Sequence, residues 1–267
     1  MDEHARRPRL AGPPDPGTAA PRAVAALAAG DAVTAVWRNE LGGLTFRLGT
    51  DRYVKWVAHG TPGLDLAAEA ARLAWAAPFT PVPRVLEEGT DDDGAWLVTA
   101  ALPGRSAVEW TRDPRRAAAA LGHGLRRLHE ALPVAGCPFT WSAPERLARA
   151  RARLAAGRGG PLAPEHRHLS AADALALLRD PPPVERPVVC HGDACMPNTL
   201  VDDDGGWVGQ VDLGSLGVAD PWADLAVAAW STEWNVGPGY TEEVYAAYGL
   251  APDRERIAYY RLLWDLG

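Results

Sequence analysis

Lysine is almost missing from this chain: of the 27 basic residues among 267, only Lys55 is a lysine. It stands inside the strand-like segment RYVKWV, where a compact, extendable ammonium does work that arginine's planar fork does not, such as reaching a phosphate as a point charge. Cysteine is scarce as well. Cys137, Cys190 and Cys195 are odd in number and scattered, which excludes a disulfide framework and predicts reduced thiols in a cytoplasm. No secretory-leader pattern opens the chain and no long uncharged apolar stretch interrupts it, so neither export nor a membrane span is expected. Basic charge is in deficit, 27 against 34 acidic residues for a net charge of −7. That makes nucleic acid and anionic membrane poor partners and a cationic small molecule a natural one.

What is present suits one large domain or two lobes sharing an interface, and the chain can bury a substantial core without disulfide or metal staples. Residues 1–21 are rich in Pro, Gly, Arg and Ala without apolar periodicity and predict a flexible N-terminal tail. From residue 32 the pattern alternates through AVTAVW, LTFRL and RYVKWV, an antiparallel meander. Its first turn carries Gly42 and Gly43, a place where backbone N–H groups could approach phosphates. LDLAAEAARLAWAA then has apolar residues at helical spacing, with Glu69 placed to face Lys55. Two more strands, RVLEEG and AWLVTAA, complete a five-stranded unit with one helix. Leu102-Pro103-Gly104 looks like a connector, with a lobe boundary near residue 103, and beyond it the chain becomes mostly helical. An apolar stripe over residues 114–132 predicts a helix, with His129 near its end as a capping or core residue. Ser142 and Glu145 have the form of a capping box. Arg146, Arg149 and Arg151 read as a solvated helix face, and Ser170 as the cap of a helix running to Leu178. Three further helices are expected near residues 222–230, 241–248 and 253–265.

The stretch that organises the chain is VVCHGDACMPNTLVDDDGGWVGQVDL, residues 188–213, read as strand, polar loop, strand, acidic turn, strand. It sets Asp193, Asn198 and Asp212 at or near strand ends. An Asp able to accept a hydrogen bond from an alcohol, beside an Asn and an Asp able to hold a hard divalent cation, describes transfer of a phosphoryl group to a hydroxyl. A zinc site from Cys190, His191 and Cys195 competes, with His166 and His168 as distant partners, but no second ligand pair stands at suitable spacing.

HGDACMPN followed by VDLG, with an earlier strand lysine and a helix glutamate, resembles the aminoglycoside phosphotransferases from about Ala32 onward. AWLVTAALPG, CPF at residues 137–139 and DLGSLGVADPWADLA support the resemblance. It implies an α+β, bilobal, protein-kinase-like fold. A small lobe (residues 22–103) would hold an antiparallel five-stranded sheet and one helix and bind ATP. A larger, mainly helical lobe (residues 104–267) would hold the aminoglycoside. It implies Asp193 as catalytic residue and as contact to the drug hydroxyl, and Asn198 and Asp212 as Mg2+ ligands. Lys55 and Glu69 become the phosphate-holding ion pair, Gly42 and Gly43 the turn over the phosphates, and Thr99, Ala100 and Ala101 the adenine-binding hinge. His191 becomes a structural residue of the loop, and the protein a monomer. Two positions depart from the family pattern: Leu41 stands where a serine is common and Ser215 where an arginine is common.

VVCHGDACMPN and the closing APDRERIAYYRLLWDLG are most similar to the enzymes that modify streptomycin at its 3'' hydroxyl. A guanidinium-bearing drug calls for carboxylates and aromatic faces, for which Glu233, Trp234 and Asp265 are the candidates. Kanamycin or neomycin 3'-phosphorylation, a kinase for another small alcohol, and a nucleotide- or drug-binding pseudo-enzyme are the competing readings.

Overall fold

The computed structural model describes residues 11–110 and 112–267. These divide into two compact units, one running to Pro78 and including Val82–Leu102, the other made of Phe79–Pro81 and Pro103–Gly267.

The first unit contains α1 (Arg22–Ala28), β1 (Val33–Arg38), β2 (Leu44–Leu48), β3 (Arg52–Ala58), α2 (Leu66–Ala76), β4 (Val85–Thr90) and β5 (Gly94–Ala100). Its strands form an antiparallel five-stranded sheet in the order β1-β2-β3-β5-β4. The alternation in the sequence is the cause. Phe46, Leu48, Val54 and Val98 cluster with Val24 and Ala28 of α1, removing apolar surface from water on one side of the sheet. Asp65 starts α2 by accepting the Ala68 N–H.

Helix α1 lies outside the sequence expectations for a physical reason. It has seven residues and Pro21 offers no side-chain cap, so it depends on tertiary contacts rather than propensity. Arg52 supplies one of them, donating to the Leu27 carbonyl at 3.3 Å, and anchors the segment just after the helix through Asp31 at 2.7 Å. Within the stretch expected as a tail, one residue is tied to the sheet. Gly12 pairs with Arg38 through two backbone hydrogen bonds of 3.0 and 2.8 Å, while residues 1–10 lie outside the described residues.

The second unit contains β6 (Arg105–Ser106), α3 (Pro114–Ala131), α4 (Ala143–Ala155), α5 (Ala171–Leu177), β7 (Val188–Cys190), β8 (Thr199–Val201), β9 (Trp207–Gln210), β10 (Gly217–Ala219), α6 (Trp222–Asn235), α7 (Thr241–Tyr248) and α8 (Arg254–Leu266). Helix α6 is its axis. Every residue from Trp222 to Thr232 is buried, as befits a helix apolar nearly all round and enclosed by neighbours. The short pairs β7/β10 and β8/β9 are antiparallel. They hold the HGDACMPN loop between β7 and β8 and bring Asp212 in directly after β9.

Two local expectations are corrected. Ser142 does sit at the N-cap of α4, but its side chain makes no capping hydrogen bond, and Glu145 pairs instead with Arg149 one turn on. Arg146 is buried rather than solvated. Its guanidinium lies 4.8 Å from the Trp141 ring centroid, and burial lowers its pKa to about 10.

A buried ion pair locks α8 to the start of α6. Arg256 reaches Asp220 at 2.5 Å, and Asp253 and Glu185 at 3.3 and 3.2 Å. Burial raises the Asp220 carboxyl against the opposing pull of the Trp222 N–H and Arg256. Arg256→Met leaves that carboxylate buried without its cation, an expected loss of about 3–5 kcal/mol in urea unfolding. Adding Asp220→Asn should recover most of it; a single-variant loss below about 1 kcal/mol counts against the pair as a structural lock.

Candidate active site

The loop after β7 is shaped by a glycine and a histidine. Gly192 has φ of +89°, and a Cβ there would fall 2.2 Å from the Ser215 carbonyl oxygen, so no other residue fits. His191 is fully buried. Its Nδ1 accepts the Asp193 N–H at 3.2 Å, which places the ring proton on Nε2, donated to the Val211 carbonyl at 2.9 Å. The histidine thereby ties the loop to the segment leading into Asp212.

Asp193 is held at both carboxylate oxygens. Oδ1 accepts from the Cys195 thiol at 3.2 Å, and Oδ2 from Asn198 Nδ2 at 3.0 Å, which also donates to the Asp193 carbonyl at 2.9 Å. Burial, then the neighbouring Asp212, raise the Asp193 carboxyl above the usual carboxylate range; His191, Cys195 and Asn198 act the other way. Burial and the Asp193 charge raise the Cys195 thiol, so it stays protonated and can donate.

These contacts bear on whether the site suits a divalent cation. With both Asn198 donations directed at Asp193, the amide oxygen is the atom presented outward, an oxygen ligand of the kind Mg2+ takes. Asp212 adopts a left-handed backbone at φ +66°, uncommon for a non-glycine residue and typical of functional turns. Two acidic groups close enough to raise one pKa are a donor set that a hard cation would relieve. The residues fit the ion.

Beneath the loop, Asp224 of α6 is wholly buried. Its oxygens accept the His191 N–H at 2.6 Å and the Gly192 N–H at 2.9 Å, and His129 Nε2 lies at 2.9 Å. His129 is therefore a core residue that completes this network, with its Nδ1 2.8 Å from the Tyr248 hydroxyl. Burial pushes the Asp224 carboxyl up, yet His129, His191 and the Gly192 N–H outweigh it and the net shift is downward. The cysteines do not build a zinc site. Cys190 Sγ donates to the Asp220 carbonyl at 3.3 Å while Cys195 turns to Asp193. His129, Cys190 and Asp224 do converge, but a tetrahedral structural site needs a fourth ligand, and Asp224 already serves three donors.

In the first unit, Lys55 of β3 meets Glu69 of α2 at 2.6 Å, with the Glu69 side chain only 7 % exposed. The Asn39–Gly43 turn is closed on itself: Asn39 Oδ1 accepts the Leu41 and Gly43 N–H groups at 3.1 and 2.8 Å, and the Asn39 carbonyl accepts the Gly42 N–H at 3.1 Å. The amides expected to face phosphates at Gly42 and Gly43 are thus taken up inside the turn in this conformation. At the end of β5, Ala100 N–H donates to the Arg84 carbonyl at 2.9 Å and Ala101 N–H to the Asp51 carbonyl at 2.7 Å. Thr99 lies opposite Tyr53 and Val85 in the sheet.

Near the C-terminal end of α6 the structure assembles an aromatic and acidic wall. Trp234 is 39 % exposed, stacks on Trp264 at 5.2 Å and meets Trp230 edge-on at 4.5 Å. Arg261 lies 5.4 Å over Trp230, with Glu233 and Glu165 at 3.6 and 3.8 Å. Asp265, expected as an acid of this wall, is instead turned inward. Its carboxylate is 1 % exposed and accepts the Ala163 N–H at 2.7 Å, with His166 Nδ1 at 2.8 Å. Glu165 stands at the wall in its place, also accepting from Trp230 Nε1 at 3.1 Å. Sequence reasoning missed Glu165, Arg261 and Asp224, and offered Cys195 only as a zinc ligand, because each gains its role from a partner that only the fold brings near.

The lowered Asp224 pKa has a definite sign. A group more acidic folded than unfolded contributes stability that is present above the unfolded carboxylate pKa and is lost as pH falls through the folded value. Urea unfolding at pH 7 and at successively lower pH should show this loss, and Asp224→Asn should flatten the dependence. An unaltered slope in the variant would remove Asp224 as its source.

Comparison with known proteins converges on one answer. Residues 34–260 match the phosphotransferase enzyme family APH. The aminoglycoside 3'-phosphotransferase of Streptomyces fradiae is 42 % identical over 74 % of this chain and 78 % of its own. The streptomycin 3''-kinase of Streptomyces griseus is 38 % identical over 92 % of this chain and 95 % of its own. Among solved structures, the aminoglycoside phosphotransferase APH(3'')-Id of Streptomyces rimosus, 34 % identical, superposes with a TM-score of 0.75 over 89 % of this chain and 94 % of that one. Its complex with ADP and streptomycin matches at 0.72 over 84 % and 90 %. The chain belongs to the APH phosphotransferase family.

Proposed function

We propose that this protein transfers the γ-phosphoryl group of ATP to a hydroxyl of an aminoglycoside, with streptomycin at its 3'' hydroxyl as the acceptor, and so confers resistance. The observation that carries the reaction class is the part-buried Asp193 carboxylate, held at both oxygens by Cys195 and Asn198 with Asp212 near enough to raise its pKa. Support for the acceptor comes from likeness to a streptomycin 3''-kinase along almost the whole chain and from a related structure that holds ADP and streptomycin.

In this reading Asp193 accepts the hydrogen bond of the drug hydroxyl and orients its oxygen toward the γ-phosphorus. The new O–P bond forms as the bond to the β-phosphate oxygen breaks, and the hydroxyl proton passes to Asp193. Positioning and charge complementarity supply most of the rate, since the transferred group needs little covalent help. Lys55, oriented by Glu69, binds the inner phosphates of the nucleotide, and Thr99, Ala100 and Ala101 line its adenine. The turn at Gly42 and Gly43 covers the phosphates by exchanging its bonds to Asn39 for bonds to phosphate oxygen. Asn198 Oδ1 and the Asp212 carboxylate hold Mg2+. When bound, the ion offsets the negative charge of the phosphates.

The acceptor's cationic groups are drawn by the excess of acidic residues and seated against Glu233, Glu165 and Trp234. Asp265 supports that wall from behind by fixing the Ala163–His166 backbone. Arg261 already satisfies the same carboxylates loosely, at 3.6 and 3.8 Å, so the wall is built for a guanidinium. A second reading, 3'-phosphorylation of a kanamycin- or neomycin-type drug, is favoured by the higher local identity to the Streptomyces fradiae enzyme. We also propose that the protein works as a monomer in the cytoplasm, in keeping with its free cysteines. Among the described residues no helix is long and apolar enough to cross a membrane.

ATP consumption measured with streptomycin, kanamycin, neomycin and hygromycin separates the readings. Turnover with streptomycin is expected, and turnover with none would overturn the acceptor assignment. Asp193→Asn should abolish transfer while nucleotide binding by calorimetry stays near wild type. Lys55→Met removes a charge-assisted bond worth about 1.5–3 kcal/mol, so the KM for ATP should rise about tenfold or more; an unchanged KM would remove Lys55 from phosphate binding.

A further inference from the structure

Helix α6 touches the loop that carries Asp193 at two places, not one. Asp224 holds its beginning through the His191 and Gly192 N–H groups. Seven residues later, Ser231 Oγ accepts the Met196 N–H at 3.0 Å. Seven residues are nearly two helical turns, about 10.5 Å of rise on one face, so the two contacts act as fixed points on a rigid ruler. Asp193 lies between them in the chain.

The Ser231 contact has a specific task. Residues Met196–Asn198 form a short 3-10 turn whose N-cap, Cys195, makes no side-chain capping hydrogen bond. The first N–H of any such turn has no partner within it, and Met196 is fully buried. Ser231 is that missing acceptor. The serine is itself fully buried and donates its own hydrogen to the Ala228 carbonyl at 2.8 Å, so the hydroxyl is used in both directions. A serine bonded back to its own helix is neutral or slightly unfavourable for the helix. Its benefit therefore falls on the loop. The same 3-10 turn ends at Asn198, whose Nδ2 bridges to Asp193 Oδ2 and to the Asp193 carbonyl at 3.0 and 2.9 Å. A continuous path runs from Ser231 through the Met196 N–H and the turn to Asn198 and the carboxylate of Asp193.

We propose that Ser231 is a positioning residue for phosphoryl transfer: it caps the Met196–Asn198 turn from outside and so fixes Asn198 and Asp193 relative to α6. This rests on the roles given to Asp193 and Asn198 above. It also has a consequence for the acceptor, because α6 carries Glu233 and Trp234 within one turn of Ser231. The helix that seats the drug therefore sets the distance to the carboxylate that orients its hydroxyl.

Ser231→Ala deletes one oxygen and leaves a buried N–H without an acceptor. Steady-state kinetics with streptomycin and ATP should show kcat lowered about tenfold or more, in line with the steep cost of small misplacements. Both KM values should remain within about twofold, since neither substrate touches the hydroxyl in this scheme. Hydrogen exchange read by mass spectrometry should rise in the peptide covering residues 190–198 while α3 and α8 keep their protection. Ser231→Thr, which keeps the hydroxyl, should return most of kcat. If Ser231→Ala keeps kcat within about twofold of wild type, or if it loses protection and melting temperature throughout the second unit with kcat and KM failing together, the proposal is overturned. Asp193→Asn assayed alongside separates the two levels. Retained turnover there would overturn the site reading itself, whereas lost turnover there with full activity in Ser231→Ala would overturn only the role of Ser231.

Discussion

The Asp224 carboxylate is the constraint on which the second unit depends. A negative group with no solvent exposure is costly unless surrounded by donors. Here two loop amides and His129 surround it so well that it becomes more acidic rather than less. Three distant segments are thereby obliged to meet: α3 through His129, the HGD loop through its backbone, and α6 through Asp224 itself. Apolar packing alone tolerates sliding by a fraction of an ångström. A buried carboxylate with directional donors does not, and this is what turns a well-filled core into a reference frame for chemistry.

Around that frame the protein divides its polar residues by task. Those of the loop are satisfied in pairs, as with the Asp193 oxygens shared between Cys195 and Asn198, so little reorganisation is left for the moment of reaction. Those of the Trp234 wall are satisfied loosely, with Arg261 near both Glu165 and Glu233 but beyond ordinary hydrogen-bond length from either. Tight contacts suit a group that must stay still, and slack contacts suit side chains that can exchange partners. In the first unit, Lys55 and Glu69 are of the tight kind.

Much of this was legible in the residues. Alternation in LTFRL, with the β-branched and aromatic run RYVKWV beyond its turn, predicted the meander, and the strand-loop-strand pattern around HGDACMPN placed Asp193, Asn198 and Asp212 at or near strand ends. The Lys55 and Glu69 contact followed from the isolated lysine and the helix phase. What was illegible had a common cause. Helix α1 is too short and too poorly capped to announce itself, and it is held by packing of Val24 and Ala28 on the sheet and by Arg52, more than twenty residues away, bonding to the Leu27 carbonyl. Arg146 read as solvated because its charge was weighed and its stacking on Trp141 was invisible. Asp265 had the right chemistry for the acidic and aromatic wall around Trp234 but is drawn inward by an N–H and a histidine from a segment about a hundred residues earlier. Ser231 carries no signal at all in one dimension, since its partner is a backbone amide that any residue would offer.

The Asn39 turn has a thermodynamic implication. Because its three N–H groups are already bonded to Asn39, a phosphate arriving there would trade one acceptor for another rather than fill an empty cradle. The net gain of such an exchange is the difference between two hydrogen-bonded states, far smaller than the gross strength of amide-to-phosphate bonds. In the role proposed for it, such a turn would lower the ceiling on nucleotide affinity and, by the same arithmetic, the barrier to letting the spent nucleotide go.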